Sequence, residues 1–317
     1  MTNKSWNFLK PGDIVDIIAP SSSVSTDNLI KYYQNAKDAL ESIGLVARIP
    51  SDLIVSDQDP FSANNLEYRL NHIIDAFTNT ESKAVWAIRG GYGAAKLIPF
   101  LEEIPAPKQP KILLGFSDIT ALHLFLQNKW NWSSIHSAVI NQILLNSRLL
   151  SELKPILFGE QDVITYNQLT PLNDKAKSQQ SITGEITGGN LSIVQTSLAT
   201  SWQIDGKNKI IFLEEVDERG YRIDRMLNQL LQAGIFNEAK AVIFGSITYG
   251  FEKDGSNLCM TAIESFSRNL NIPVVHLPII GHDNDNNSPL PLGTNCHLTL
   301  GNNPILTCLS GGTEESC

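Results

Sequence analysis

Three short segments of this 317-residue chain carry side chains that could do acyl-transfer chemistry. In the first, Ile112-Leu113-Leu114-Gly115-Phe116-Ser117-Asp118, an apolar run stops at a glycine and a serine stands where a helix should begin. Such a turn can present a hydroxyl as a nucleophile. The amide after it, on Asp118, points into a helix N-terminus, where unpaired N–H groups and the positive dipole end favour a developing oxyanion. The same residues also suit a plain helix cap with Ser117 closing the first turn. The Gly-x-Ser-x-Gly elbow is incomplete, because Ile119 replaces its second glycine.

A serine hydroxyl is a weak nucleophile and needs a base within reach and an acid to orient that base. Ile210-Ile211-Phe212-Leu213-Glu214-Glu215 offers the acid at the end of an apolar strand. Neighbouring strand residues face opposite ways, so only one of Glu214 and Glu215 can serve a given site; a solvated strand edge is the alternative. Of the six histidines, His72 and His123 fall inside helical patterns, and His276 and His297 inside strand-like runs, where packing explains them. His136, following Trp132, could border a site. His282 differs: Gly281 precedes it and the polar run Asp283-Asn284-Asp285-Asn286-Asn287 follows, a loop able to carry a catalytic group. Arg89-Gly90-Gly91-Tyr92-Gly93 comes between a strand and a helical stretch. Its spacing is not the dinucleotide fingerprint, but Gly91 could supply a second oxyanion donor, and Arg89, with Gly90 beside it, could meet a substrate carboxylate. A plain turn is the alternative here too.

The elements that must hold these groups follow from periodicity. Short β-rich runs alternate with helical patterns through the first half, as in a parallel sheet covered by helices. Strands are expected over residues 13–19, 45–49, 84–88 and 112–114. Helices are expected over 66–77 and 118–127, and over a segment with Thr26 or Asp27 as N-cap and Gly44 just past its end. Residues 166–183 are polar and read as a linker. It would separate a nucleophile domain, 1–165, from a domain, 184–317, that carries the acid and the histidine and is built on strands 209–213, 241–247 and 273–277 with a helix over 221–233.

With 42% hydrophobic and 18% charged residues the chain can bury a large core, and a net charge of -9 without basic runs argues against a nucleic-acid partner. A small molecule or peptide fits better. Cys259, Cys296, Cys308 and Cys317 show neither CxxC spacing nor a nearby histidine, so no disulfide framework, metal or other cofactor is expected. The first residues lack an apolar signal core, and no apolar run reaches the roughly 20 residues that cross a bilayer. A cytoplasmic protein with no membrane partner is expected.

Taken together, these segments resemble the LD-carboxypeptidase family, cytoplasmic serine peptidases that trim the terminal D-alanine from murein tetrapeptide. Pro11-Gly12-Asp13 with Ala19-Pro20-Ser21-Ser22 is similar to the family's opening strand and loop, and Arg89-Gly90-Gly91-Tyr92-Gly93 to its glycine-rich oxyanion loop. Gly115-Phe116-Ser117-Asp118 looks like its nucleophile turn. Gly188-Gly189-Asn190-Leu191, Leu213-Glu214-Glu215, Tyr221-Arg222-Ile223-Asp224-Arg225 and Gly281-His282 follow in the family's order. The resemblance implies a flavodoxin-like N-terminal domain, a smaller strand-rich C-terminal domain, and a homodimer. It makes Ser117 the nucleophile, His282 the base, Glu214 the acid that orients it, and the amides of Gly91 and Asp118 the oxyanion hole. The chain departs from the family's pattern at His136-Ser137-Ala138 and at Gly281-His282-Asp283, so the loop around the base is expected to be longer or differently shaped. Two other readings stand beside this one. An immunity-type hydrolase of peptidyl-nucleotide antibiotics would place Trp130, Trp132 or Trp202 against a nucleobase; a non-catalytic binder would use the glycine loop for an anion.

Overall fold

A computed structural model describes residues 6–55, 59–283 and 286–311. Cys317, Asn284, Asp285 and residues 1–5 lie outside the described residues. The chain divides into two compact units, one running to Asp162 and resuming at Ser310, the other Val163–Leu309. In the first unit, strands β1 (Ile14–Ile18), β2 (Val46–Arg48), β3 (Ser82–Ala87), β4 (Ile112–Gly115) and β5 (Ser134–His136) pair in the order β2-β1-β3-β4-β5, every pair parallel. That is the flavodoxin-like order, which reverses between β1 and β3. Val85, Trp86 and Ala87 of β3 and Ile112, Leu113 and Leu114 of β4 are all fully buried, as strands covered on both faces require.

The helices follow the apolar spacing closely. Leu66–Thr78 buries Arg69, Ile73, Ala76 and Phe77 along one face, at the spacing that puts side chains on one stripe. Leu29–Glu41 is capped by Asn28, which accepts from the Lys31 amide at 2.9 Å, and not by Thr26 or Asp27. The helix expected over 118–127 is built in three pieces: a 3₁₀ turn Ser117–Ile119, an α segment Thr120–Phe125 and a π turn Leu126–Trp130.

The second unit holds β6 (Val163–Tyr166), β7 (Thr170–Pro171), β8 (Ser181–Asn190), β9 (Ile210–Val216), β10 (Ala241–Thr248), β11 (Val274–His276), β12 (Leu290–Leu292), β13 (Asn295–Thr299) and β14 (Ile305–Leu309). Eight of these form one sheet in the order β6-β14-β13-β8-β9-β10-β11-β7. Its centre, β8 to β11, is parallel and its flanks are antiparallel. β8 joins the two regimes: its first half pairs antiparallel with β13 and its second half parallel with β9. Residues 166–183, expected as a linker, contain β7, the short helix Asp174–Lys177 and the start of β8. Among the described residues Cys259, Cys296 and Cys308 are in no disulfide, and no helix is long and apolar enough to cross a membrane.

Candidate active site

Open parallel sheets bind ligands at the carboxyl ends of their strands where the order reverses. Here β1 runs into Ser21 and Ser22, β3 into Arg89 to Gly93, and β4 into Ser117. Ser117 sits at φ 64°, a left-handed conformation that costs a non-glycine residue roughly 1–2 kcal/mol. Its side chain makes no cap bond: Phe116 holds the N-cap position and Ser117 begins the turn. The hydroxyl therefore does not have the role of a cap. Gly90 packs against this turn, and a Cβ on it would lie 2.8 Å from the Ser117 Cβ and 3.2 Å from the Phe116 carbonyl oxygen. Gly90→Ala should displace the serine and lower kcat/KM about 10- to 100-fold with native circular dichroism; unchanged turnover would separate Gly90 from the site.

The neighbouring loops are held by short-range hydrogen bonds. The Ser22 hydroxyl donates to the Phe61 carbonyl at 2.9 Å and accepts from the Tyr92 amide at 3.1 Å. Gly91, at φ +115°, lies directly against Ser22. Arg89 is exposed and donates from Nη1 to the Ser23 carbonyl at 2.5 Å. Asp118 contributes more than the amide expected of it, because its buried carboxyl accepts from the Ser21 hydroxyl at 2.6 Å and from the Ala94 amide at 2.8 Å. Burial pushes this carboxyl above the ordinary value, against the pull of those two bonds and of Arg69. Below the turn, fully buried His123 bonds the Gly115 carbonyl through Nε2 at 2.9 Å and the Ser134 hydroxyl through Nδ1 at 2.8 Å. Burial drives its pKa down to about 4. The ring is thus neutral, and its one proton sits on Nε2, because a carbonyl can only accept.

The second unit brings Glu214 and His282 together. Glu214 Oε2 lies 2.6 Å from His282 Nδ1, with the carboxylate wholly buried and the ring 14% exposed. Glu215 turns the other way. It accepts from the Asn190 side-chain amide at 2.8 Å, and from the Ser192 amide at 2.8 Å and hydroxyl at 2.6 Å. The alternation read from the sequence therefore separates the two acids, but the strand continues to Val216 and both are buried, so neither is a solvated edge. Burial raises the Glu215 carboxyl, as does the Glu214 charge. At His282 burial works against the cation, yet the charge and hydrogen bond of Glu214, helped by Glu215, hold its pKa above the ordinary value. Gly281 makes the approach possible: it sits at φ +136°, and a Cβ there would fall 3.1 Å from Glu214 Oε2 and 2.3 Å from the Ser246 hydroxyl oxygen.

Residues 15–137 match the LD-carboxypeptidase N-terminal domain and residues 183–298 the LD-carboxypeptidase C-terminal domain. A protein of Rickettsia conorii named as a carboxypeptidase is 38% identical over 287 residues, 90% of this chain and 87% of that one. The chain belongs to the LD-carboxypeptidase family. It is therefore related to peptidases, and a Bacillus subtilis relative, 31% identical over 74% of this chain and 72% of its own, is named as a murein peptide carboxypeptidase. The crystal structure of an MccF-like protein from Bacillus anthracis has the same fold, with a TM-score of 0.80 over 96% of this chain and 98% of that one at 21% identity.

The other histidines of this LD-carboxypeptidase family member are held by local partners. His72 pairs with Asp52 at 3.1 Å, and His297 lies 3.2 Å from the Thr183 hydroxyl. His276 is pushed down by burial, and His136 is buried edge-on to Phe116 with ring centroids 5.7 Å apart. Trp130 and Trp132 stack edge-on with each other and with Phe77, and Trp202 is 5% exposed. All three tryptophans are buried.

Proposed function

We propose that the protein is a serine-type LD-carboxypeptidase that releases the terminal D-alanine of murein tetrapeptide, working in the cytoplasm as a homodimer. The observation that carries this reading is the left-handed turn of Ser117 at the end of β4, a strained conformation of the kind that collects at functional sites. His282, with Nδ1 committed to Glu214, takes the Ser117 proton on Nε2. The Ser117 oxygen attacks the carbonyl of the diamino-acid residue, and the amides of Gly91 and Asp118 stabilise the oxyanion. The tetrahedral intermediate expels D-alanine, whose nitrogen receives the proton from His282. Water then attacks the acyl-enzyme, His282 again taking a proton, and Ser117 is regenerated. Arg89 is the cation proposed to meet the free carboxylate that makes this an exopeptidase, with Gly90 leaving room beside it.

The murein substrate draws support from the Bacillus subtilis relative, and the serine mechanism from the Ser117 turn and the Glu214–His282 pair. Incubation with murein tetrapeptide, followed by mass analysis, should give the tripeptide and free D-alanine. If the tetrapeptide stays intact while a peptidyl-nucleotide analogue is hydrolysed, the immunity-type reading replaces this one; if neither is turned over and a serine-directed probe leaves folded protein unlabelled, the protein is a binder.

A further inference from the structure

The loop that carries Gly91 is gripped by two buried side chains, the Arg69 guanidinium and the Asp118 carboxyl. Arg69, 2% exposed, reaches from the helix Leu66–Thr78 and donates from Nη1 to the Pro20 carbonyl at 2.6 Å and the Gly93 carbonyl at 3.1 Å, and from Nε to the Asn64 carbonyl at 3.1 Å. Asp118, also 2% exposed, accepts from the residues next in sequence: the Ser21 hydroxyl at 2.6 Å and the Ala94 amide at 2.8 Å. One peptide unit, Gly93–Ala94, is thus held at both ends, its oxygen by a guanidinium and its N–H by a carboxyl. The loop after β1 is held by the same pair through Pro20 and Ser21. Charge-assisted bonds in a dry interior are the strong ones, and removing one partner leaves the other buried and unpaired.

Asp118 also follows Ser117 directly. Its own amide is one proposed oxyanion donor, and its side chain fixes the far end of the loop bearing the other, Gly91. We infer that Asp118 and Arg69 are positioning residues that set the distance between the two oxyanion donors, Asp118 through its carboxyl and Arg69 through the carbonyls of Pro20 and Gly93. This rests on Ser117 being the nucleophile. Neither side chain touches substrate; both act through the backbone of the glycine loop. The donors matter only once charge develops on the reacting oxygen, so loosening them lowers kcat and leaves KM nearly unchanged. A role confined to folding would lower the number of working sites and leave the turnover of each site intact.

The test uses the full-length protein, murein tetrapeptide as substrate and a fluorophosphonate to count reactive Ser117. Asp118→Ala should lower kcat per labelled serine about 100-fold with KM within about 3-fold. Asp118→Asn should recover activity to within about 10-fold of wild type, because an amide oxygen can accept the same two bonds. Per-site turnover within about 3-fold of wild type in Asp118→Ala, or no recovery in Asp118→Asn, overturns the inference. If Asp118→Ala does not fold, Ser21→Ala, which removes one donor and no charge, should still lower per-site kcat about 5-fold, and wild-type turnover there overturns it equally. Turnover that survives Ser117→Ala sinks both the nucleophile assignment and this inference, whereas Ser117-dependent turnover with full Asp118→Ala activity sinks the inference alone.

Discussion

Ser117→Ala should lower kcat/KM for the proposed D-alanine release by on the order of a millionfold, the loss expected when the nucleophile of a serine triad is removed and its other members remain. The effect belongs to one oxygen atom, because the backbone of the turn has no reason to change. Alanine meets the same left-handed penalty at φ 64° as serine does, so the thermal midpoint should hold. Ser117→Gly makes a sharper comparison. Glycine relieves roughly 1–2 kcal/mol of backbone strain and gives back roughly 0.5–1 kcal/mol through the entropy of the unfolded chain. That variant should be inactive and as stable as the natural protein, or more stable by up to about 1.5 kcal/mol. A nucleophile held in strain at the expense of stability predicts this pairing of results, and a serine kept for folding predicts the reverse. Activity within tenfold of wild type in the alanine variant would remove Ser117 from the chemistry.

Much of the frame was legible because it depends on local pattern. The apolar run into Gly115 marked the turn at Ser117, and the period-two rule separated Glu214 from Glu215 before their partners were known. Torsions and burial were not legible in this way. Whether Ser117 caps its helix or begins the turn is settled by its backbone torsion, φ 64°, which the presence of a serine at that position does not reveal. The polar composition of residues 166–183 suggested a linker, yet Thr170 and Pro171 pair as a strand with His276 and Val275. An edge strand needs only one partner and tolerates proline. The Asp118 carboxyl is legible as a first-turn acid but its partner is not: its hydroxyl donor, Ser21, is 97 positions away, and no spacing rule reaches that far. His282 stands apart from the other histidines in its glycine-led polar loop, but Glu214, the carboxylate it bonds, lies 68 positions upstream, so the pairing is implied by the family's order and not by the spacing itself.

Glu214→Gln is expected to cut kcat by about three to four orders of magnitude, the cost seen when the acid of such a triad is neutralised, and to move the acid limb of the pH profile downward. A base must be unprotonated to act, so with His282 as the proposed base activity in the natural protein should rise with pH through the His282 pKa, which the Glu214 charge and hydrogen bond hold above the ordinary value against burial. Glutamine removes that charge while burial stays, so the ring loses its proton at lower pH and the limb shifts with it. The rate still falls, because a glutamine side chain can either donate to Nδ1 or accept from it. It therefore neither fixes the tautomer nor stabilises the imidazolium formed during attack. Stability supplies an independent check. A histidine whose folded pKa is raised contributes stability that is complete below its unfolded value, about 6.5, and is lost as pH rises through the folded value. Glu214→Gln should accordingly cost more unfolding free energy in acid than above the folded pKa. An acid limb that stays in place while kcat falls would mean that a group other than His282 sets the profile. A stability loss that is uniform across pH would mean that Glu214 acts on the fold without charging the ring.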